Sequence, residues 1–392
     1  MKKSLLALAV AAMAVSTVAS AATVYDKDGT SVGVYGRVDA TFFSQDSGKT
    51  GQSAANDANL NAESRLGFDF RSELSSWAAA FAKVEWQNAD DDLNNEFNSR
   101  YVWVGVDFGQ FGAVKAGKFE DAVKYAVAPT DIFEDWGCNG QMGNDDRRDG
   151  MIGYSWSGYG VDVNLTYGTG KDNQQVDGAW WGANGVVANA NASGAEKVDI
   201  ESAYAVSVGY TSPAVLFGPI SVKAAFGGAQ FQDRDAGANG STVYEDNIYD
   251  SYTNWAASVS WGTLSDGLYL AVMGNARDFD VFSGAEYGAD AVAIDDYTVT
   301  GVEAVISYCF ANGVQLMTGW EWMNVDMDGA EGFDSNGYVI PVHARWQINP
   351  NFRIWVEAAF DAGTDSDFAA ATNGVNARYE ENIYQVGARY TF

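Results

Sequence analysis

Arg37, Arg65 and Glu85 each stand inside an alternating stretch, on the parity that carries the polar residues. Between 61 and 73, Asn61, Glu63, Arg65, Gly67, Asp69, Arg71 and Glu73 share one parity, and Ala62, Ser64, Leu66, Phe68 and Phe70 share the other. Tyr35, Arg37, Asp39 and Thr41 likewise oppose Val34, Gly36, Val38, Ala40 and Phe42. Side chains of a strand alternate faces with period two, so guanidinium and carboxylate groups line one wet face. Fixed charges of this kind do electrostatic work: they orient water and sort ions by sign. Covalent chemistry has few candidates. Gly29-Thr30-Ser31-Val32-Gly33 matches G-x-S-x-G but opens a strand, whereas a nucleophile elbow needs a strand-to-helix turn with an acid and a histidine following. The single histidine, His343, shares parity with Val339 and Pro341 and reads as a packed strand residue. An enzyme therefore stays an alternative without a constellation.

Sixteen alternating segments, each bounded by turn residues, are the elements that must position the charges. They span 32–44, 61–73, 76–88, 99–108, 112–118, 150–157, 160–169, 201–211, 218–231, 253–262, 267–278, 297–310, 313–325, 337–348, 351–361 and 381–392. Short connections such as Leu74-Ser75, Gly109-Gln110-Phe111 and Asn349-Pro350 alternate with long stretches rich in Asp, Asn, Gly and Ala. Strict sorting of turns to one end and loops to the other, with an even strand count, is the pattern of an outer-membrane barrel. A soluble sandwich has seven to nine strands and no reason to sort its connections so. The final strand, Glu381 to Phe392, alternates to the end and stops on an aromatic residue.

Targeting and composition agree. Lys2 and Lys3, an apolar run from Leu5 to Val18, and Ala19-Ser20-Ala21 read as a signal peptide over 1–21, leaving 22–392 as the barrel. Beyond this segment no apolar run reaches the ~18 residues of a spanning helix, but a closed barrel crosses a bilayer with ~10-residue strands. The 43 Gly, 5 Pro and 14% aromatic residues suit tight turns, unbroken ladders and interfacial girdles. The formal charge of −29 becomes −31 without Lys2 and Lys3, which excludes nucleic acid as a partner and favours cations near the surface and in any pore. Two cysteines, Cys138 and Cys309, are too few for a disulfide framework, and nothing in the sequence brings them together.

The stretch Ala22 to Ser44 resembles the start of the trimeric general porins of Gram-negative γ-proteobacteria. Glu63-Ser64-Arg65-Leu66-Gly67-Phe68-Asp69-Phe70 resembles their second strand, Val84-Glu85-Trp86 and Arg100-Tyr101-Val102-Trp103-Val104-Gly105 the third and fourth, and the C-terminal strand matches as well. The likeness covers the mature chain and is strong in the first ~130 residues and the last ~12. It implies a 16-stranded antiparallel transmembrane barrel with short periplasmic turns, long extracellular loops and a third loop, 119–149, folded into the lumen as a constriction. Thr130-Asp131-Ile132-Phe133-Glu134-Asp135-Trp136-Gly137 resembles the loop's Pro-Glu-Phe-Gly-Gly motif, without the proline and with a tryptophan for the phenylalanine.

By that resemblance, Asp131, Glu134 and Asp135 face a basic ladder of Arg37, Arg65, Arg100, Lys118 and Arg148, with Glu85 inward on the third strand. Parity supports Arg37, Arg65 and Glu85 independently, because charges facing lipid cost roughly 2–4 kcal/mol near the midplane. Arg71 and Arg389 share lumen parity near strand ends. The resemblance further implies a homotrimer, contact with outer-membrane lipid and lipopolysaccharide, assembly through the C-terminal Phe392, and passage of small hydrophilic solutes and ions. No cofactor is implied. A sugar-specific channel, which Trp180-Trp181 keeps open, and a plugged structural or adhesive barrel are the alternatives. Asp90-Asp91-Asp92 suits either a hard cation or a solvated loop face.

Overall fold

The computed structural model describes residues 21–46, 59–89, 97–137, 139–144, 146–180, 197–232, 249–281, 286–287, 292–329, 333–372 and 376–392. Sixteen long strands form the wall: β1 (Thr30–Asp46), β2 (Asn59–Glu73), β3 (Ala79–Ala89), β4 (Asn98–Asp107), β5 (Ala113–Glu120), β6 (Arg147–Gly158), β7 (Val161–Gly168), β8 (Lys197–Val215), β9 (Gly218–Phe231), β10 (Tyr249–Thr263), β11 (Asp266–Val281), β12 (Val292–Cys309), β13 (Val314–Gly329), β14 (Phe333–Asn349), β15 (Phe352–Asp361) and β16 (Asn382–Thr391). Each pairs antiparallel with its sequence neighbours. The ring closes where β16 pairs with β1, Val386 opposite Phe42 and Tyr390 opposite Val38. Phe392 completes the seam by exchanging backbone hydrogen bonds with Gly36 at 2.9 and 3.0 Å. Closure leaves no ladder edge in contact with lipid.

Period two sorts the side chains. Val38, Phe42, Val102, Val104, Val272, Val356 and Val386 point outward and are among the exposed apolar residues, as a lipid-facing band requires. Inward positions carry charges around the lumen, Arg37 and Glu85 on one side and Arg277 and Glu303 on the other, where large apolar groups also meet loops folded into the barrel.

Glycines on neighbouring strands let large rings lie flat on the inner wall. The Tyr35 ring covers Gly67, and a Cβ there would come within 2.1 Å of it. Trp355 lies over Gly387 in the same way. These contacts keep bulky side chains along the wall instead of across the water path.

Two bulges re-aim single side chains. The β3–β4 register shifts between Glu85, paired with Tyr101, and Trp86, paired with Ser99, leaving Arg100 as the extra residue. The β5–β6 register shifts between Gly117, paired with Met151, and Phe119, paired with Arg148. A bulge bends its strand and redirects a side chain without ending the ladder.

Candidate functional site

The third loop leaves β5 after Glu120 and enters the lumen through a short helix, Lys124–Val127, and a 3-10 turn, Ala128–Thr130. The helix fits because Ala122, Val123, Ala126 and Val127 pack on Ala205, Ala225, Ala256 and Met273, small or flexible residues that leave room for backbone. Beyond it the loop crosses the inner face of β11 to β16. Glu303 on β12 accepts hydrogen bonds from Thr130 Oγ1, from Gln141 Nε2 at 2.8 Å and from the Gly140 amide at 3.1 Å. Glu321 on β13 accepts from Asn139, and Glu357 on β15 accepts from the Trp136 amide at 2.8 Å. Asn275 on β11 holds the Met142 amide and donates to the Gly140 carbonyl. Each of these wall groups is buried, so the loop supplies the partners that buried polar groups require.

The loop's return to the wall is locked by charge. Arg277 and Arg148 both reach Asp146 Oδ2 at 2.8 Å, and Arg148 also lies 3.5 Å from Asp121. Burial alone would push the Asp146 carboxyl up, but Arg277 and Arg148 outweigh it and hold it below the usual range. Burial pushes the Asp121 carboxyl the other way, upward, with Arg148 opposing.

Two further segments fill the extracellular half on the same side. Val176, Ala179 and Trp180 from the fourth loop, and Phe368, Ala371 and Tyr379 from the eighth, join Tyr249, Phe279, Tyr297, Met323 and Val325 of the wall in one apolar cluster. Trp180 packs edge-on against Tyr297 at 6.3 Å. Trp181, Cys138 and the 90–92 aspartates lie outside the described residues; Cys309 is a free thiol on β12 near the periplasmic end. His343 is buried against Phe133 of the loop, 3.5 Å from Glu357, as a packed strand residue.

The opposite sector stays open. Side-chain exposure is 22% for Arg37, 24% for Arg65 and 28% for Arg71, against 0% for Arg277 and Asp146. Arg37 and Arg65 face each other across β1–β2. Arg37 pairs with Asp39 at 3.0 Å and with Glu63, and Arg65 pairs with Glu63 at 3.0 Å. The bulge brings Arg100 into line, 2.9 Å from Glu85, which also accepts from the Tyr35 hydroxyl. Asp131 and Asp135 of the loop are exposed, Asp131 accepting from Asn144 and Asp135 from Gln385.

The remaining expected positions divide. Glu134 does not face the ladder; it sits among Arg345, Arg353 and Arg389 at 3.5, 2.8 and 2.7 Å. Arg148 is 2% exposed and belongs to the buried lock, because its opposing partner Phe119 and the loop root cover it. Lys118 is the clearest correction. It lies opposite Val102, on the outward parity of Val114 and Ala116, and Lys115 takes the inward place on that strand. Arg277, Glu303, Glu321 and Glu357 were missed by sequence reasoning, although an ionisable residue in the middle of a membrane strand signals the lumen face by itself.

A closed antiparallel barrel, apolar outside, with a charged lumen narrowed by an inserted loop, defines a transmembrane β-barrel channel. Comparison with known proteins gives the family: a model described as Gram-negative porin matches residues 7–343, and the chain belongs to that family of outer-membrane proteins. Outer membrane protein U of Vibrio vulnificus is 32% identical over 43% of this chain and 47% of its own length. Outer membrane porin N of Escherichia coli is 23% identical over the full length of both. The structure of Salmonella typhi OmpF in complex with daunomycin superimposes with a TM-score of 0.66 at 15% identity, over 94% of this chain and 100% of that one.

Proposed function

We propose that this porin passes small hydrophilic solutes and ions by passive diffusion along the β1–β7 side of its lumen, with a weak cation preference. The observation that carries this reading is the contrast between partly exposed arginines on β1 and β2, Arg37, Arg65 and Arg71, and the loop-covered, buried Arg277, Glu303 and Glu321 on β11 to β13. The ladder arginines are each paired with a carboxylate on their own wall, so they contribute little net charge to the path. Glu134 is likewise compensated by three arginines. Asp131 and Asp135 are exposed acids of the loop, held by Asn144 and Gln385, and rings of fixed charge set ion preference. The work is non-covalent throughout, and we read the chain as a channel and not as an enzyme.

A trimer fits the outer surface. Ala40, Phe42, Leu60, Ala344, Trp346, Ile354, Val356 and Val386 border a shallow apolar groove of about 490 Å³, a shape suited to a second copy as well as to acyl chains. Residues 1–21 are read as a leader, Phe392 as the handle for assembly, and the outer loops as the contact with lipopolysaccharide.

Reversal potentials under a KCl gradient test the preference. Replacing Asp131, Glu134 and Asp135 together by their amides shifts the potential toward anions if the loop carries the selectivity. An unchanged potential removes the assignment.

A further inference from the structure

Lys115 differs from the other inward cations of this wall. Arg37, Arg65, Arg71, Lys83 and Arg100 each have a carboxylate within 4.0 Å. Among the described residues Lys115 has none. Its ammonium instead lies 4.1 Å from the centre of the Phe119 ring and 5.2 Å from that of Trp103. The nearest acid along its own strand, Glu120, is occupied by Lys124, Arg147 and the Tyr101 hydroxyl. Trp103 stands directly opposite Lys83 on β3, and Lys83 lies 4.6 Å over the Tyr35 ring with Asp69 at 3.5 Å. Two ammonium groups on aromatic faces therefore flank Trp103, below Arg100 and within a few residues of the periplasmic turn at Gly109–Phe111.

A ring face attracts a cation but does not neutralise it. It also displaces water, which strengthens the pull of the ammonium on an anion. The position opposite Lys115 on either neighbouring strand is a glycine, Gly105 on β4 and Gly153 on β6, and the Phe81 and Phe119 rings lie over them, so apolar rings and no acid border the Lys115 side chain there. The site lies on the open side of the lumen, in a chain whose formal charge is −29, where an unpaired cation beside apolar rings stands out.

We propose that Lys115, with Lys83 and Trp103, forms a binding subsite in the periplasmic vestibule for small organic carboxylates with an apolar or aromatic body. The carboxylate would lie against the ammonium groups and the body against Trp103. The subsite deepens the diffusion reading and rests on it: solutes of this class pause at the exit instead of passing at the rate of equally sized neutral molecules.

Benzoate, acetate and benzamide, added to the periplasmic side of single channels in a planar bilayer, separate charge from ring. Benzoate is expected to lower the conductance with a saturable concentration dependence, whereas acetate and benzamide lower it only linearly or not at all. Lys115→Gln weakens the benzoate effect by about tenfold, as loss of one charged contact predicts, Lys83→Gln weakens it less, and Lys115→Arg keeps it. Equal benzoate inhibition in wild type and Lys115→Gln, or acetate acting as strongly as benzoate, overturns the proposal. Conductance in KCl alone, recorded before any probe is added, belongs to the diffusion reading. If no channels open there, both readings fall; if channels open and benzoate does nothing, only the subsite falls.

Discussion

Arg277 on β11 and Asp146 at the root of the third loop meet at 2.8 Å with both side chains completely buried. The pair joins the far wall to the point where the loop re-enters β6, and Arg148 and Tyr252 complete its surroundings. Its geometry explains why a loop with only one short helix and a 3-10 turn keeps one path through the barrel.

Removing one partner of an isolated buried ion pair costs about 3–5 kcal/mol, and loss of Arg277 costs less than that because Arg148 stays 2.8 Å from Asp146. Arg277→Met should therefore lower the unfolding midpoint of the barrel in denaturant and let the loop root shift. An unchanged midpoint, followed by the loss of heat-dependent gel mobility or by tryptophan fluorescence, would contradict the lock.

Glu303 gathers Thr130, Gly140 and Gln141. Glu303→Leu strands these loop donors in a buried site, at about 1–3 kcal/mol each. The expected outcome is a looser loop: larger and noisier single-channel current with the barrel still assembled. Glu303→Gln retains an acceptor oxygen and should lie between the two. Quiet wild-type currents in Glu303→Leu would show that the clamp does not control the loop.

Asp135 is exposed to the lumen, with Gln385, Glu134 and Arg389 close to its carboxyl. Burial pushes its carboxyl up; the hydrogen bond from Gln385 and the charge of Arg389 oppose this, and Glu134 adds to it. A carboxyl raised in this way is negative only above its shifted value, so its share of the cation preference disappears as pH falls through a range above that of an ordinary aspartate. Reversal potentials across a pH series should show this loss, and Asp135→Asn should flatten that part of the curve. A wild-type curve that matches Asp135→Asn would contradict it.

Gly337 on β14 is the floor for the eighth loop: a Cβ there would come within 2.6 Å of both Phe368 and Tyr379. Gly337→Leu should evict those rings and open the extracellular half, raising conductance while leaving the third loop in place. The same conductance as wild type would mean that the apolar cluster does not border the path.

The strands were legible because period two was legible. Alternation alone marks 218–231, which is the observed β9, and 381–392, which differs from β16 by one residue at each end. Arg37, Arg65 and Glu85 were legible for the same reason, since parity and the cost of charge in lipid agree at each. Arg100 was not, because its lumen position depends on a bulge whose extra residue carries no sequence mark. Lys118 and Arg148 came from likeness alone. The register of β5 turns one outward, and packing of the loop root buries the other. Arg277 and Glu303 obey the parity rule and could have been found by it. Their partners in the loop could not, because a non-repeating path leaves no periodic signal.

Single-channel recording of the purified mature protein in a planar bilayer under a KCl gradient tests the central claim most directly. Large ohmic steps that close in threes, with a reversal potential on the cation side, are the predicted result. Silence, or conductance that appears only after deletion of 119–149, would contradict it and make the third loop a plug.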